Sequence, residues 1–387
     1  MLQTLAITNY RSLRELTLPL TRLNVITGAN GSGKSNLYRA LRLLGETALG
    51  GAVASLAREG GLPSVLWAGP ETLPRAVRRG TQPVQGGPRR GPVHLRMGFA
   101  GDEVGYAIDF GLPSPPAGAF DRDPEIKVEC LWHGAVLRAA NAVVERRGGV
   151  VSTREARGQW AVIAQHVPSY ESMLTHVADP QRAPEVMALR ESIRSWRFYD
   201  HFRTDAAAPA RQVQVGTRTP VLSHDGHDLA AALQTIREIG DPVALDAAVE
   251  DAFPGAHLDI TSVDGRFALG FRQHGLLRAL TQAELSDGTL RYLLWIAALS
   301  TPRPPALMVL NEPETSLHPD LMPALARLIE QASRHTQILV VSHSSRLVSA
   351  LEAGDDASSI TLEKTLGETC ARGFGPLDVP PWHWPSR

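Results

Sequence analysis

Gly28, Gly33, Lys34 and Ser35 stand at the spacing G-x-x-x-x-G-K-S, with Asn30, Gly31 and Ser32 inside the loop they define. Glycines at such positions let successive backbone N–H groups turn toward one anion, and a helix starting there adds positive potential. Lys34 can bring a full charge to the β- and γ-phosphates of a nucleotide. The Ser35 hydroxyl suits Mg2+. A chance glycine-rich turn would match the same letters. The strand-like Leu23-Asn24-Val25-Ile26-Thr27 before the loop and the stripe Leu37, Leu41, Leu44 after it argue against chance.

A second set of polar residues follows apolar runs near the other end of the chain. Ala306 to Leu310 is continuously apolar and closes on Asn311-Glu312. An acid at a buried strand's tip reaches a metal, and the next carboxylate can polarise a water. Glu312 fits the second role and Asn311 occupies the metal position, where its amide oxygen brings no negative charge. Ile338 to Val341 is the next buried run, and His343 behind it could sense or bond a γ-phosphate, the alternative being a structural histidine. Ser286 N-caps a helix carrying Leu290, Leu293, Leu294, Ala297 and Ala298 on one face. With Gly288 it is either an ordinary cap or a second anion-binding helix start, used on a nucleotide held by another subunit.

These residues need a sheet to hold them. Leu2 to Ile7 and Leu13 to Leu20 predict a hairpin across Asn9-Tyr10-Arg11-Ser12. Val93 to Phe99 and Val104 to Phe110 predict another around Gly101-Asp102, with further strands over 126–131 and 135–144. Amphipathic helices are expected over 186–196 and 229–239, and a helical stripe runs through Leu321, Leu325, Leu328 and Ile329. The two C-terminal apolar runs have the character of parallel strands buried on both faces. Residues 50–92, rich in Gly, Pro and Arg, are expected to be irregular. Prolines from Pro63 to Pro220 exclude a long coiled coil from the middle of the chain.

At 387 residues the chain allows one large domain with insertions or two domains. Its hydrophobic fraction, 43%, supports a substantial core, and its net charge of −1 gives no global pull toward nucleic acid or anionic lipid. Two cysteines, Cys130 and Cys370, form no disulfide framework. Without a leader-like start or an apolar run near the roughly 18 residues that span a bilayer, a cytoplasmic location with no membrane partner is expected.

Taken in order, the phosphate loop, Leu285-Ser286-Asp287-Gly288-Thr289, Asn311-Glu312-Pro313-Glu314-Thr315-Ser316-Leu317-His318-Pro319 and Ser342-His343-Ser344 resemble the RecF-like and SMC-like branch of ABC-type P-loop ATPases. Within it the chain looks most like small stand-alone AAA-family ATPases, and Ile7 to Ser12 fits the same branch. The motif-bearing parts cover about residues 1–50 and 280–350. The resemblance implies an α/β ABC-type head with a central, mostly parallel sheet, an antiparallel β subdomain and no long coiled coil. Its core would come from residues 1–112 and 255–372, with 113–254 as an inserted lobe. It implies ATP and Mg2+ as cofactors, held by Gly28, Asn30, Gly31, Ser32, Gly33, Lys34, Ser35, Asn36 and Arg11, with Asn311 beside Ser35 at the metal. Glu312 would be the catalytic base, His343 the switch histidine and 314–318 the D-loop. Two heads would pack head-to-tail on ATP, each offering Ser286 and Gly288 to the other's nucleotide. Asn311 for Asp and Asp287 for a signature Gly depart from the pattern and imply slow hydrolysis. The usual Q-loop glutamine is not placed; Gln165 is the candidate.

Relatives in this branch often carry a nuclease domain after the ATPase. The 44 residues beyond His343 are too short for one, so none is expected here. Ser223 to Asp228 favours a turn and helix cap over a metal cluster. Ser342 and Ser344 lack the Gly-x-Ser-x-Gly frame of a hydrolase. Arg75, Arg78, Arg79, Arg89, Arg90 and Arg96 could meet nucleic-acid phosphates, although no aromatics interleave them. Two functions remain open: an ATP-driven switch acting on DNA, RNA or a separately encoded effector, and a nucleotide-gated binding module that barely hydrolyses. A transporter motor fits the Asn9–Ser12 and Ser-Leu-His-Pro patterns less well.

Overall fold

A computed structural model describes residues 1–71, 91–114, 119–120, 122–354, 356–375 and 377–387. The chain opens with β1 (Leu2–Tyr10), β2 (Leu13–Pro19) and β3 (Leu23–Gly28), then α1 (Lys34–Thr47), α2 (Ala52–Arg58) and the one-turn α3 (Leu62–Val65). A run of strands follows: β4 (Leu95–Gly101), β5 (Val104–Gly111), β6 (Glu125–His133), β7 (Ala142–Arg147), β8 (Val150–Arg154) and β9 (Trp160–Ala164). Next come α4 (Met173–His176), α5 (Pro184–Ser195), β10 (Arg197–Tyr199), β11 (Gln214–Val215), α6 (Leu229–Ile239) and α7 (Pro242–Ala252). The chain continues through β12 (His257–Val263), β13 (Arg266–Arg272), β14 (Leu280–Thr281), α8 (Asp287–Leu299) and β15 (Leu307–Asn311). It closes with α9 (Met322–Ser333), β16 (Gln337–Val341), α10 (Ser345–Glu352), β17 (Ala357–Thr365) and β18 (Glu368–Ala371).

The expected hairpins form: β1 pairs β2 antiparallel with Leu5 opposite Leu18, and β4 pairs β5 with Phe99 opposite Tyr106. Within the described part of the expected irregular stretch, residues 50–71 are more regular than expected, because Ala52, Leu56, Leu62 and Val65 bury themselves through α2 and α3. Arg75, Arg78, Arg79, Arg89 and Arg90 lie outside the described residues. Arg96 does not: it sits in β4 and pairs with Asp109 of β5 at 3.2 Å.

Two compact units are built from interleaved segments. The first comprises Met1–Thr21, Gly28–Ser195 and Ile360–Arg387. Its antiparallel sheet runs β2-β1-β4-β5-β6-β7-β8-β9, and α1 packs on β1 and β4. Deep in this unit Glu129 and Arg146 are both fully buried and meet at 2.9 Å. A buried ion pair survives only when its remaining lone pairs and protons are satisfied. Here Tyr106 and the backbone N–H of Met173 donate to Glu129, while Arg146 donates to the carbonyls of Gly148 and Pro168.

The second unit, Arg22–Thr27 with Trp196–Ser359, contains parallel strands in the order β10-β15-β16-β3. The strands β15 and β16 are buried almost throughout, as uninterrupted apolar runs require when helices cover both faces. Register makes their carboxyl ends level: Val341 lies opposite both Asn311 and Ile26. The antiparallel β11-β13-β12 group and α6 to α9 complete this core, with Leu290, Leu293, Leu294 and Ala297 of α8 inside it. Among the described residues the longest helix has 14 residues and none is long and apolar enough to cross a membrane.

Candidate nucleotide site

The phosphate loop begins where β3 ends and closes at the first turn of α1. Gly28 has φ 143°, and a Cβ there would collide with the Leu362 carbonyl and with Ser32 Oγ. At Gly33, φ is 110° and a Cβ would strike the Thr369 hydroxyl. Side chains are therefore excluded at both positions by conformation and by space. Gly33 caps α1 without a side-chain bond, which leaves first-turn amides for another acceptor.

Lys34 is folded over the loop and buried, its ammonium donating to the carbonyls of Gly28 at 2.6 Å and Ala29 at 3.2 Å. Ser32 Oγ is buried with no hydrogen-bond partner among the described residues. A buried hydroxyl without a partner costs about 1–3 kcal/mol, so its presence beside a glycine cradle suits an oxygen-rich ligand. The loop thus fits a polyphosphate. Asn30 and Ser35 are exposed. Asn36 spends its amide inside the protein, donating to Ser12 Oγ at 2.8 Å. Arg11, at φ 50°, lies over the Tyr10 ring and pairs with Glu59 at 2.6 Å. Burial and the neighbouring Glu59 push the Tyr10 phenol well above its ordinary pKa.

In the second unit, the ends of parallel strands gather the other candidates. Asn311 turns its amide nitrogen to Asp200 Oδ1 at 2.6 Å. A carboxylate only accepts, so the Asn311 Oδ1 is the atom left to face a cation. Glu312 adopts φ 51°, held there by its N–H bond to the Val341 carbonyl at 2.7 Å. Its half-exposed carboxylate lies 3.5 Å from His343 Nδ1. Glu314, only 8% exposed, organises the turn after β16: its Oε1 accepts from Ser342 Oγ at 2.7 Å, His343 N at 3.0 Å and Ser344 N at 3.1 Å. The same oxygen is 3.5 Å from His343 Nδ1. Two carboxylates and an imidazole therefore share one strand edge.

Ser286 caps α8, its hydroxyl accepting from Thr289 N at 3.1 Å, and Gly288 sits in the first turn. Arg211 holds this entrance by donating to the Leu285 carbonyl at 2.7 Å and pairing with Asp287 at 2.6 Å. One turn further on, Arg291 explains why a charge interrupts an apolar helix. Its guanidinium donates to the carbonyls of Thr315 at 2.6 Å and Phe202 at 3.0 Å, tying α8 to the exits of β15 and β10. Burial pulls its pKa below the ordinary arginine value.

Sequence reasoning missed Asp200 and Arg211, and it placed Glu314 only within the D-loop, not as the acceptor that orders the turn after β16. Asp200 follows the parallel strand beside β15, whereas Gln165 follows β9 at the edge of the antiparallel sheet. Ser223, Asp225 and His227 form a turn closed on itself, with Ser223 Oγ at 3.0 Å and Asp225 Oδ1 at 2.7 Å from the same His227 nitrogen. Asp228 stands at the cap position of α6 without a side-chain cap bond, and its carboxylate accepts from Ser223 instead.

A family model described as "AAA domain, putative AbiEii toxin, Type IV TA system" matches residues 152–349, and one described as "AAA ATPase domain" matches residues 1–52. No curated protein matches the chain in sequence. Among solved structures, an SMC head bound to the C-winged helix domain of ScpA aligns over 96% of this chain and 97% of its own, at 12% identity and TM-score 0.52. The SMC head domain from Thermotoga maritima aligns over 96% and 97% at 14% identity and TM-score 0.44. An SMC head with an extended coiled coil, derived from Pyrococcus furiosus, aligns over 96% and 95% at 12% identity and TM-score 0.48. The first of these likenesses shows the fold, that of an SMC head, and with it the ABC-type α/β architecture expected from the motifs.

Proposed function

We propose, from the premise that this chain belongs to the AAA-domain family described as "putative AbiEii toxin, Type IV TA system", that it is a slow Mg2+-dependent ATPase whose nucleotide state switches a partner. The carrying observation is the phosphate loop, in which two positions exclude a Cβ, Lys34 is folded over the turn and Ser32 Oγ has no partner among the described residues. In this reading the amides of residues 28–35 bind the phosphates and Lys34 adds charge. Asn30 and Arg11 complete the nucleotide contacts, while Asn36 acts through Ser12.

Mg2+, when bound, would supply charge neutralisation at the phosphates; in the phosphate loop we assign Ser35 to it, and in the second unit the Asn311–Asp200 pair is the candidate cation holder. Asp200 brings the negative charge that Asn311 lacks. Glu312 takes the proton of the attacking water, and His343 beside it holds that carboxylate in line. Ser286 and Gly288 open a helix whose start we assign to a second copy's nucleotide in an ATP-bound head-to-tail homodimer. For the downstream partner we favour a separately encoded protein over DNA or RNA, since the family's description names a toxin of a TA system. The working compartment is taken to be the cytoplasm.

The second reading is a nucleotide-gated binding module with little turnover, favoured by the amide at Asn311. ATP binding and phosphate release, measured side by side for the natural protein and Asn311→Asp, separate the two. Binding with steady release supports the ATPase; binding with release only in Asn311→Asp supports the module. No binding in either rejects both.

A further inference from the structure

Thr369 of β18 is fully buried, and its hydroxyl donates to the Ser32 carbonyl at 2.8 Å. Having spent its proton there, it must accept from Ser12 Oγ, 2.7 Å away. The Ser12 oxygen in turn accepts from Asn36 Nδ2 at 2.8 Å. The donors are thus ordered along one chain, from Asn36 in α1 through the β1–β2 turn and the C-terminal hairpin to Ser32 in the phosphate loop. Backbone reinforces it, with Thr369 N donating to the Ser12 carbonyl at 2.8 Å, and Arg14 pairing with Glu368 at 3.1 Å.

The endpoint of this chain matters for binding. In a trans peptide the C=O and the following N–H point in opposite directions. Pinning the Ser32 carbonyl on Thr369 therefore turns the Gly33 N–H the other way, away from the hairpin. Gly33, free of a Cβ and at positive φ, would otherwise let that peptide rotate at little cost.

We propose that Thr369 is a positioning residue for nucleotide binding: its hydroxyl fixes the Ser32–Gly33 peptide so that the Gly33 amide is presented to a phosphate. This rests on the reading of residues 28–35 as an ATP phosphate loop. It makes ATP affinity depend on a hairpin more than 300 residues further along the chain.

The test uses the full chain and a fluorescent ATP analogue with Mg2+. Thr369→Val keeps the shape and removes the hydroxyl; Thr369→Ser keeps the hydroxyl and trims a methyl. The valine variant is expected to bind the analogue roughly tenfold more weakly, with kcat at saturating ATP unchanged, because one loop carbonyl and the Ser12 hydroxyl lose their partner. The serine variant is expected within about twofold of the natural protein. Equal binding by the valine variant, or equal weakness of valine and serine, overturns the proposal. Should Thr369→Val fail to fold by circular dichroism, Thr369→Ala decides, with weakened binding expected and unchanged binding overturning. A natural protein that ignores ATP sinks the phosphate-loop reading and this inference together, whereas a binding natural protein with unaffected variants sinks this inference alone.

Discussion

Asn311 Nδ2 and Asp200 Oδ1 lie 2.6 Å apart at the ends of two neighbouring parallel strands. In the proposed metal site the pair would divide between two side chains what a single aspartate would supply: an oxygen from the amide and a charge from the carboxylate. Asp200→Asn removes the charge and the fixed acceptor, so the Mg2+ concentration needed for nucleotide binding should rise on the order of tenfold, as a loss of about 1.4 kcal/mol gives. The double variant Asp200→Asn/Asn311→Asp moves the charge to the other strand and should restore the Mg2+ titration. A titration that does not shift in Asp200→Asn would remove Asp200 from the metal site.

Lys34→Ala should weaken nucleotide binding by roughly 100-fold, the loss expected for a charge-assisted bond to phosphate. Equilibrium binding of a fluorescent ATP analogue measures it. The lysine also ties two loop carbonyls, so the melting temperature without nucleotide should fall as well. Binding kept at the natural level would deny the loop its role.

Glu312→Gln should retain ATP and lose turnover by about 10²–10⁴, the usual contribution of a general base. Trapped in the ATP state, it should elute as a dimer on size exclusion with ATP and Mg2+. A monomer under those conditions would rule out the head-to-tail arrangement.

Glu314→Ala strips the acceptor from Ser342, His343 and Ser344 together. Ser344 N keeps Ser342 Oγ as an acceptor at 3.1 Å, so two donors lose their partner at about 1–3 kcal/mol each, and a loss of roughly 2–4 kcal/mol in unfolding free energy is expected. Chemical denaturation provides the check. A variant as stable as the natural protein would show that the turn does not depend on Glu314.

The phosphate loop was legible because its constraints are local: positive φ, a strand before and a helix after all fall within a dozen residues. The strands β15 and β16 were legible from uninterrupted apolar runs. Asp200 was not, because β10 spans only Arg197–Tyr199 and three residues carry no periodicity. Glu314 stood in the recognised motif, yet its true partners lie 28 to 30 residues on, beyond any spacing rule. Thr369 belongs to a hairpin whose sequence is ordinary, and only the fold brings it to Ser32. Arg291 interrupts an apolar helix, but only the fold brings the Thr315 and Phe202 carbonyls to it.

The backbone at Glu312 has a thermodynamic consequence. A left-handed conformation costs a side-chain-bearing residue about 1–2 kcal/mol, whereas glycine takes it freely and brings ~0.5–1 kcal/mol of extra unfolded-chain entropy. Replacing the glutamate with glycine should therefore leave the molecule as sturdy as before, or slightly sturdier, while silencing its chemistry. Selection for heat tolerance alone would not preserve this glutamate.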